Sequence, residues 1–171
     1  QRQMCIRDST WTEYFTAGTW AIASNAAAVS ASGSGGEARA DTTLDTDDME
    51  IQATLVTLSA TGSGVARCGV NGRKDNSATR TYYSFAGDEV PGGSDEYVLA
   101  KRVSGTLTEL DSTTTAVNNG VVLMLRISDS SLEGFVDAAS TVGPVTDGSI
   151  TGNTYAGIVA NVTATSCLLY T

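Results

Sequence analysis

Histidine is absent from this chain of 171 residues. No Ser-His-Asp or Cys-His catalytic set, zinc–imidazole centre or histidine pH switch can be assembled from it. Basic residues are scarce too: 10 Lys and Arg stand against 19 Asp and Glu, a formal charge of −9. Phosphate backbones are held by clustered Lys and Arg, so nucleic acid is excluded as the expected partner. No apolar run approaches the roughly 18 residues of a spanning helix, so no membrane insertion is expected. Neither end has the charged-then-apolar layout of a targeting segment.

Ser and Thr, by contrast, make up about a quarter of the chain, with Gly 18 and hydrophobic residues 41%. That apolar share suffices for a packed core, and the length suits one domain. A chain rich in Thr, Ser, Gly and Val reads as all-β. Both ends resemble translated sequencing adapter. Residues 1–9 and 166–171 are therefore expected to be scars flanking a domain at 10–165, on a metagenomic fragment. Setting them aside leaves Cys68 to interpret: a small buried residue in a strand-like run, with no internal disulfide. The redox compartment then stays open.

Short alternating runs separated by polar turns recur along the chain, as in half-buried strands. They fall at 20–24, 26–31, 37–44, 49–55, 65–70, 81–85, 97–103, 106–110, 121–127, 132–136 and 155–162. Met49, Ile51, Ala53 and Leu55 share one side, which is core. Tyr83 and Phe85 point inward, Tyr82 and Ser84 outward. Asn71-Gly72 reads as a turn, Ser104-Gly105 as a hairpin turn and 137–154 as a long loop. No window carries a capped helical stripe. The expected fold is an antiparallel two-sheet β-sandwich of about eleven strands with essentially no helix.

Trp11, Gly18-Thr19-Trp20 with Ile22 and Asn25, and Asp48-Met49-Glu50-Ile51 follow one another in a recognisable order. Gly64-Val65 with Arg67, Tyr82-Tyr83, Tyr97 with Leu99 and Lys101, and Leu123-x-Leu125-x-Ile127 continue it, as do Gly134-x-Val136-Asp137, Thr146-Asp147 and Ala156-Gly157-Ile158. This succession resembles the concanavalin A-like lectin/glucanase superfamily, laminin-G-like modules included. The resemblance implies a jelly roll with one concave face, a fold used by secreted sugar-binding proteins, glycan-cleaving enzymes and parts of phage tails and fibres. An Asp-Phe-Asn-like strand should precede the first Trp. Gln1–Ser9 stands in its place, which implies a sandwich truncated at its ends. Trp11 and Trp20 read as core residues.

A glycoside hydrolase of this kind carries Glu-x-Asp-x-Glu on one strand, so that the acids share a face. Glu109-Leu-Asp111-Ser-Thr113 has Thr where the second Glu belongs, and the lyase variant wants a histidine. The expectation is a non-enzymatic carbohydrate-binding or structural/adhesion module, extracellular or on a virion. Its partner would be a glycan or a virion or cell-surface protein. The alternative is a divergent glycoside hydrolase or polysaccharide lyase. Sugars need aromatic platforms beside hydrogen-bonding groups. Arg67, Tyr82, Lys101 and Arg126 are the expected concave-face set. Calcium is the candidate cofactor, at Asp137 and Asp147 by resemblance to laminin-G-like rims. The acidic run Asp45-Thr-Asp47-Asp48-Met-Glu50 lacks the Gly and distal Glu of an EF-hand and reads as a solvated turn.

Overall fold

The computed structural model describes residues 36–40, 43–60, 64–77 and 79–160 in full. For 11–15, 19–23, 26–30, 161 and 166–170 it describes the strand backbone. In chain order the strands are β1 (Trp11–Phe15), β2 (Thr19–Ala23), β3 (Ala26–Ser30), β4 (Gly36–Ala40), β5 (Met49–Ser59), β6 (Ala66–Lys74) and β7 (Tyr82–Glu89). They continue with β8 (Glu96–Val103), β9 (Thr106–Thr114), β10 (Val122–Ser128), β11 (Ser131–Val136), β12 (Ala139–Thr146), β13 (Tyr155–Asn161) and β14 (Ser166–Tyr170). Sheet A runs β1-β4-β13-β6-β7-β8-β9, and sheet B runs β12-β11-β10-β5-β14-β3-β2. The pairings are antiparallel, as in β10 with β5 and β6 with β7. This is the expected all-β sandwich, with no helix among the described residues.

The period of two builds the core. In β5, Met49, Ala53 and Leu55 are buried while Glu50 and Gln52 are exposed. Leu123, Leu125 and Ile127 of β10 face Val70, Tyr83, Phe85, Leu99 and Ile158 of sheet A in one buried cluster. Each such large side chain contributes roughly 1.5–3 kcal/mol on leaving water. The sheets approach closely at Gly134, where an added Cβ would lie 2.4 Å from the Phe85 ring.

Several sequence expectations are corrected here. Asn71 and Gly72 lie inside β6, opposite Ser84 and Tyr83, and form no turn. An added Cβ at Gly72 would meet the side-chain ends of Ile51, Ile127 and Met49 of sheet B, so glycine lets the sheets approach there. The loop expected at 137–154 contains β12. Its entry turn, Asp137 (φ 49) and Ala138 (φ 65), is left-handed at both residues but lacks the glycine that usually marks such a hairpin. Three strands exceed the expected eleven: β1, β12 and β14. The backbone of 166–170 runs between β5 and β3. Residues 1–9 and the side chains of Trp11 and Trp20 lie outside the described residues. Cys68 is disulfide-bonded, which overturns its reading as an unpaired thiol. Its partner lies outside the described residues.

Candidate functional site

The outer face of a sandwich sheet is normally polar and wet. On β4, β6 and β7 of sheet A it is polar and buried. Ala38, Cys68, Val70, Tyr83, Phe85 and Ile158 point into the core. Their strand neighbours Glu37, Arg39, Asn71, Tyr82, Ser84, Gly69 and Gly157 therefore point outward. Glu37, Asn71 and Lys74 are nonetheless 0% exposed and Tyr82 is 1%. Short residues (Gly69, Ser84, Ala86, Ala100, Gly157) form the floor, and the long side chains rise around them.

A bulge in β6 aims two cations in different directions. Between the pairs Gly157–Asn71 and Tyr155–Lys74, β6 has one residue more than β13. The extra residue is absorbed at Arg73, whose φ is 46. Such a bulge breaks the alternation and re-aims the side chains that follow. Lys74 consequently reaches the outer face, and Arg73 turns into the end of the sandwich.

Glu37 is the centre of the outer cluster. Tyr82 Oη donates to its Oε1 at 2.7 Å, Arg80 Nε donates to Oε1 at 2.7 Å and Lys74 Nζ donates to Oε2 at 3.4 Å. Arg102 Nε stands 3.9 Å from Oε1. Burial, reinforced by the Glu37 charge, pushes the Tyr82 hydroxyl far above its ordinary range, so it stays a donor. Burial also pulls the Lys74 ammonium down, against the opposing pull of Glu37. Asp75 is raised by burial but lowered more by bonds from Ser77, Thr79 and the Thr81 amide. Arg39 stacks 3.9 Å over the half-buried Tyr155 ring and donates to Asn76. Among the described residues, buried Asn71 Oδ1 and Arg102 Nε make no hydrogen bond. A buried polar atom left unmatched costs about 1–3 kcal/mol, so two on one face mark it as unfinished.

The four residues expected to share a concave face do not come together. Tyr82 belongs to the cluster. Arg67 is on the same face but lies bidentate on Asp88, at 2.7 and 2.6 Å. Asp88 is six residues along β7 from Tyr82, roughly 20 Å. Lys101 pairs in register with inward Tyr83, and its ammonium meets Asp147 Oδ2 at 2.5 Å and Ser149 Oγ at 3.0 Å. Arg126 is on sheet B, directly between Glu133 and Glu50 in register and 4.5 Å over the Phe135 ring. The sequence reading missed Glu37, Asn71, Lys74, Arg80, Arg102 and Tyr155. Polar residues at alternate positions, as in Glu37-x-Arg39 and Tyr82-x-Ser84, were the available signal.

Asp137 and Asp147 do not fit a shared calcium ion. Asp137 Oδ1 accepts from the Val122 amide at 2.8 Å. Asp147 Oδ1 accepts from Tyr83 Oη at 2.7 Å and Oδ2 meets the Lys101 ammonium at 2.5 Å, so its single charge is already matched by one cation. Burial raises the Asp147 carboxyl, but those bonds and Ser149 hold it well below the usual range. Among the described residues no three His, Cys, Asp or Glu side chains gather as a metal set. Glu109 and Asp111 sit exposed on edge strand β9, bonded to Ser112 and to the Gly143 amide. Glu37 and Asp75 share Lys74 Nζ, at 3.4 and 3.9 Å. Among the described residues the carboxyls with displaced pKa, Asp47, Asp75 and Asp147, are all displaced downward. A glycosidase general acid requires the opposite.

No family model and no curated protein sequence matches the chain. Solved structures do. The chain is similar to the carbohydrate-binding module CBM66 from Bacillus subtilis at 16% identity and TM-score 0.71, covering 95% of this chain and 93% of that one. The Ca2+/Man-bound VIP36 exoplasmic/lumenal domain matches at 14% and TM-score 0.65, over 94% and 80%. A beta-1,3-1,4-glucanase (lichenase) derived from a mouse hindgut metagenome matches at 6% and TM-score 0.59, over 95% and 91%. At these identities the likeness concerns the backbone alone. The chain has the concanavalin A-like jelly-roll fold shared by carbohydrate-binding modules, lectins and glucanases.

Proposed function

We propose that the chain is a non-enzymatic carbohydrate-binding module whose ligand seat is the outer face of sheet A around Glu37. One observation carries this: among the described residues, buried Asn71 Oδ1 and Arg102 Nε make no hydrogen bond, beside a charged cluster and the ring of Tyr155. Sugar hydroxyls both donate and accept, so a glycan can match polar atoms of this face while an apolar ring face rests on tyrosine. Arg80 and Arg102 are 17% and 19% exposed, so solute reaches the cluster from their side. The glucanase-like alternative would need a proton-donating acid here, and Glu37 is already ringed by cations. The disulfide at Cys68 favours an oxidising compartment, in keeping with an extracellular or virion setting. The partner is then a glycan on a secreted or cell-surface molecule.

The test is a glycan array probed with the full chain, with and without calcium, followed by calorimetry on the best ligand. R102M and Y155A should each weaken binding at least about tenfold, the loss of one charged hydrogen bond or stacking face. R126A, on the other sheet, should leave binding unchanged. Absence of binding to every glycan sinks the reading. Polysaccharide turnover abolished by E37Q would replace it with the hydrolase alternative.

A further inference from the structure

We propose that Arg73 does the work of a bound divalent cation: its guanidinium fills an oxygen cage of calcium-binding type, and removing it opens a calcium site. Three separate loops meet at this end of the sandwich. The segment before β5 supplies Asp47 O at 2.8 Å from Nε and Asp48 Oδ1 at 3.2 Å from Nη2. The β10–β11 turn supplies Asp129 O at 2.7 Å from Nη2, and the loop before β13 supplies Ile150 O at 3.0 Å from Nη1. Asp47 Oδ2 stands 3.7 Å from Nε. Three backbone carbonyls and two aspartates are the donor types that hold calcium, which takes six to eight oxygens with water completing the set.

The cage is built to hold a cation. Arg73 is 1% exposed, and a buried charge persists only when matched this fully. Two carboxylates face one guanidinium, so the site keeps a negative excess that a divalent ion would cancel. Asp47 is further fixed by the Gly152 amide at 2.9 Å and Asp48 by the Asp129 amide at 2.8 Å, which orients both without the arginine. The arginine also holds a left-handed φ of 46, a conformation glycine adopts more readily. Calcium would draw the oxygens inward from guanidinium distances to about 2.3–2.6 Å, a shift the three loops can share. Asp47 and Asp48 of the acidic run thus form part of a cation site whose cation is carried by the chain itself.

Thermal unfolding of the full chain tests this, using wild type, R73G and R73G/D48N in EDTA and in calcium at about 5 mM, well above the Kd of weak extracellular sites. Glycine removes the guanidinium and suits the backbone angle. R73G should melt at least about 5 °C below wild type in EDTA and recover at least half of that in calcium. R73G/D48N should not recover, and wild type should respond to calcium less than R73G does. Equal responses of R73G and wild type, or an unchanged R73G midpoint in EDTA, overturn the proposal. Should R73G be unfolded in both solutions, R73N decides, because asparagine tolerates left-handed angles and adds an amide oxygen. A larger calcium-induced rise in R73N than in wild type supports the proposal, and an equal one overturns it.

Discussion

Tyr82 and Glu37 are joined by a 2.7 Å hydrogen bond although their strands, β7 and β4, are separated in the sheet by β6 and β13. Both side chains are buried on a face that should be wet. Y82F removes one donor and leaves Glu37 with its cations, so it should cost about 1–3 kcal/mol. E37Q leaves Lys74, Arg80 and Arg102 without their common anion and should cost more, about 3–5 kcal/mol. Urea denaturation at neutral pH measures both. E37Q milder than Y82F would mean that the cations are not organised by Glu37.

Acid should weaken the fold partly through Asp147. Its folded pKa lies below the ordinary 3.8 because Lys101, Ser149 and Tyr83 donate to it. A carboxyl depressed in the folded state contributes stability that is complete above its unfolded value and is lost as pH falls through the folded one. D147N should therefore lower stability at pH 6 and flatten its decline from about pH 4 downward. Urea midpoints between pH 6 and 2.5 report the difference. Parallel curves for wild type and D147N would exclude the contribution.

Two arginine pairs should differ in worth. Arg67 rests bidentate on Asp88, with side-chain exposures of 16% and 4%. R67M strands a buried carboxylate and should cost about 3–5 kcal/mol. Arg126 is 44% exposed between Glu50 and Glu133, so R126A should cost no more than about 1 kcal/mol, including its packing on Phe135. Equal costs in denaturant titrations would mean that burial does not govern these pairs.

At Gly134 the sheets leave no room for a methyl group, since its Cβ would come within 2.4 Å of Phe85. G134A should destabilise by about 1–3 kcal/mol through overpacking. F85L, which opens space at the same contact, should make G134A less harmful. Strict additivity of the two changes, read from a double-mutant cycle, would place the strain elsewhere.

The two-layer β architecture was legible in the residues themselves. Met49-x-x-x-Ala53-x-Leu55 and Leu123-x-Leu125-x-Ile127 alternate, so each strand declares its buried side before any partner is known. Ser104-Gly105 (φ 48 and 85) likewise declares its hairpin, because left-handed turn residues are chemically marked. Asp137-Ala138 makes a turn of the same hand without glycine, and β12 stayed hidden behind it. Strand order was invisible for a deeper reason: local period fixes which face a side chain takes, but not which strands become neighbours. Only the folded chain sets β4 beside β13, carries Tyr82 and Arg80 to Glu37, and bends β6 so that Arg73 and Lys74 part ways. Side-chain alternation is a property of each strand alone. The polar cluster and the arginine-filled cage depend on segments that meet only when both sheets have closed.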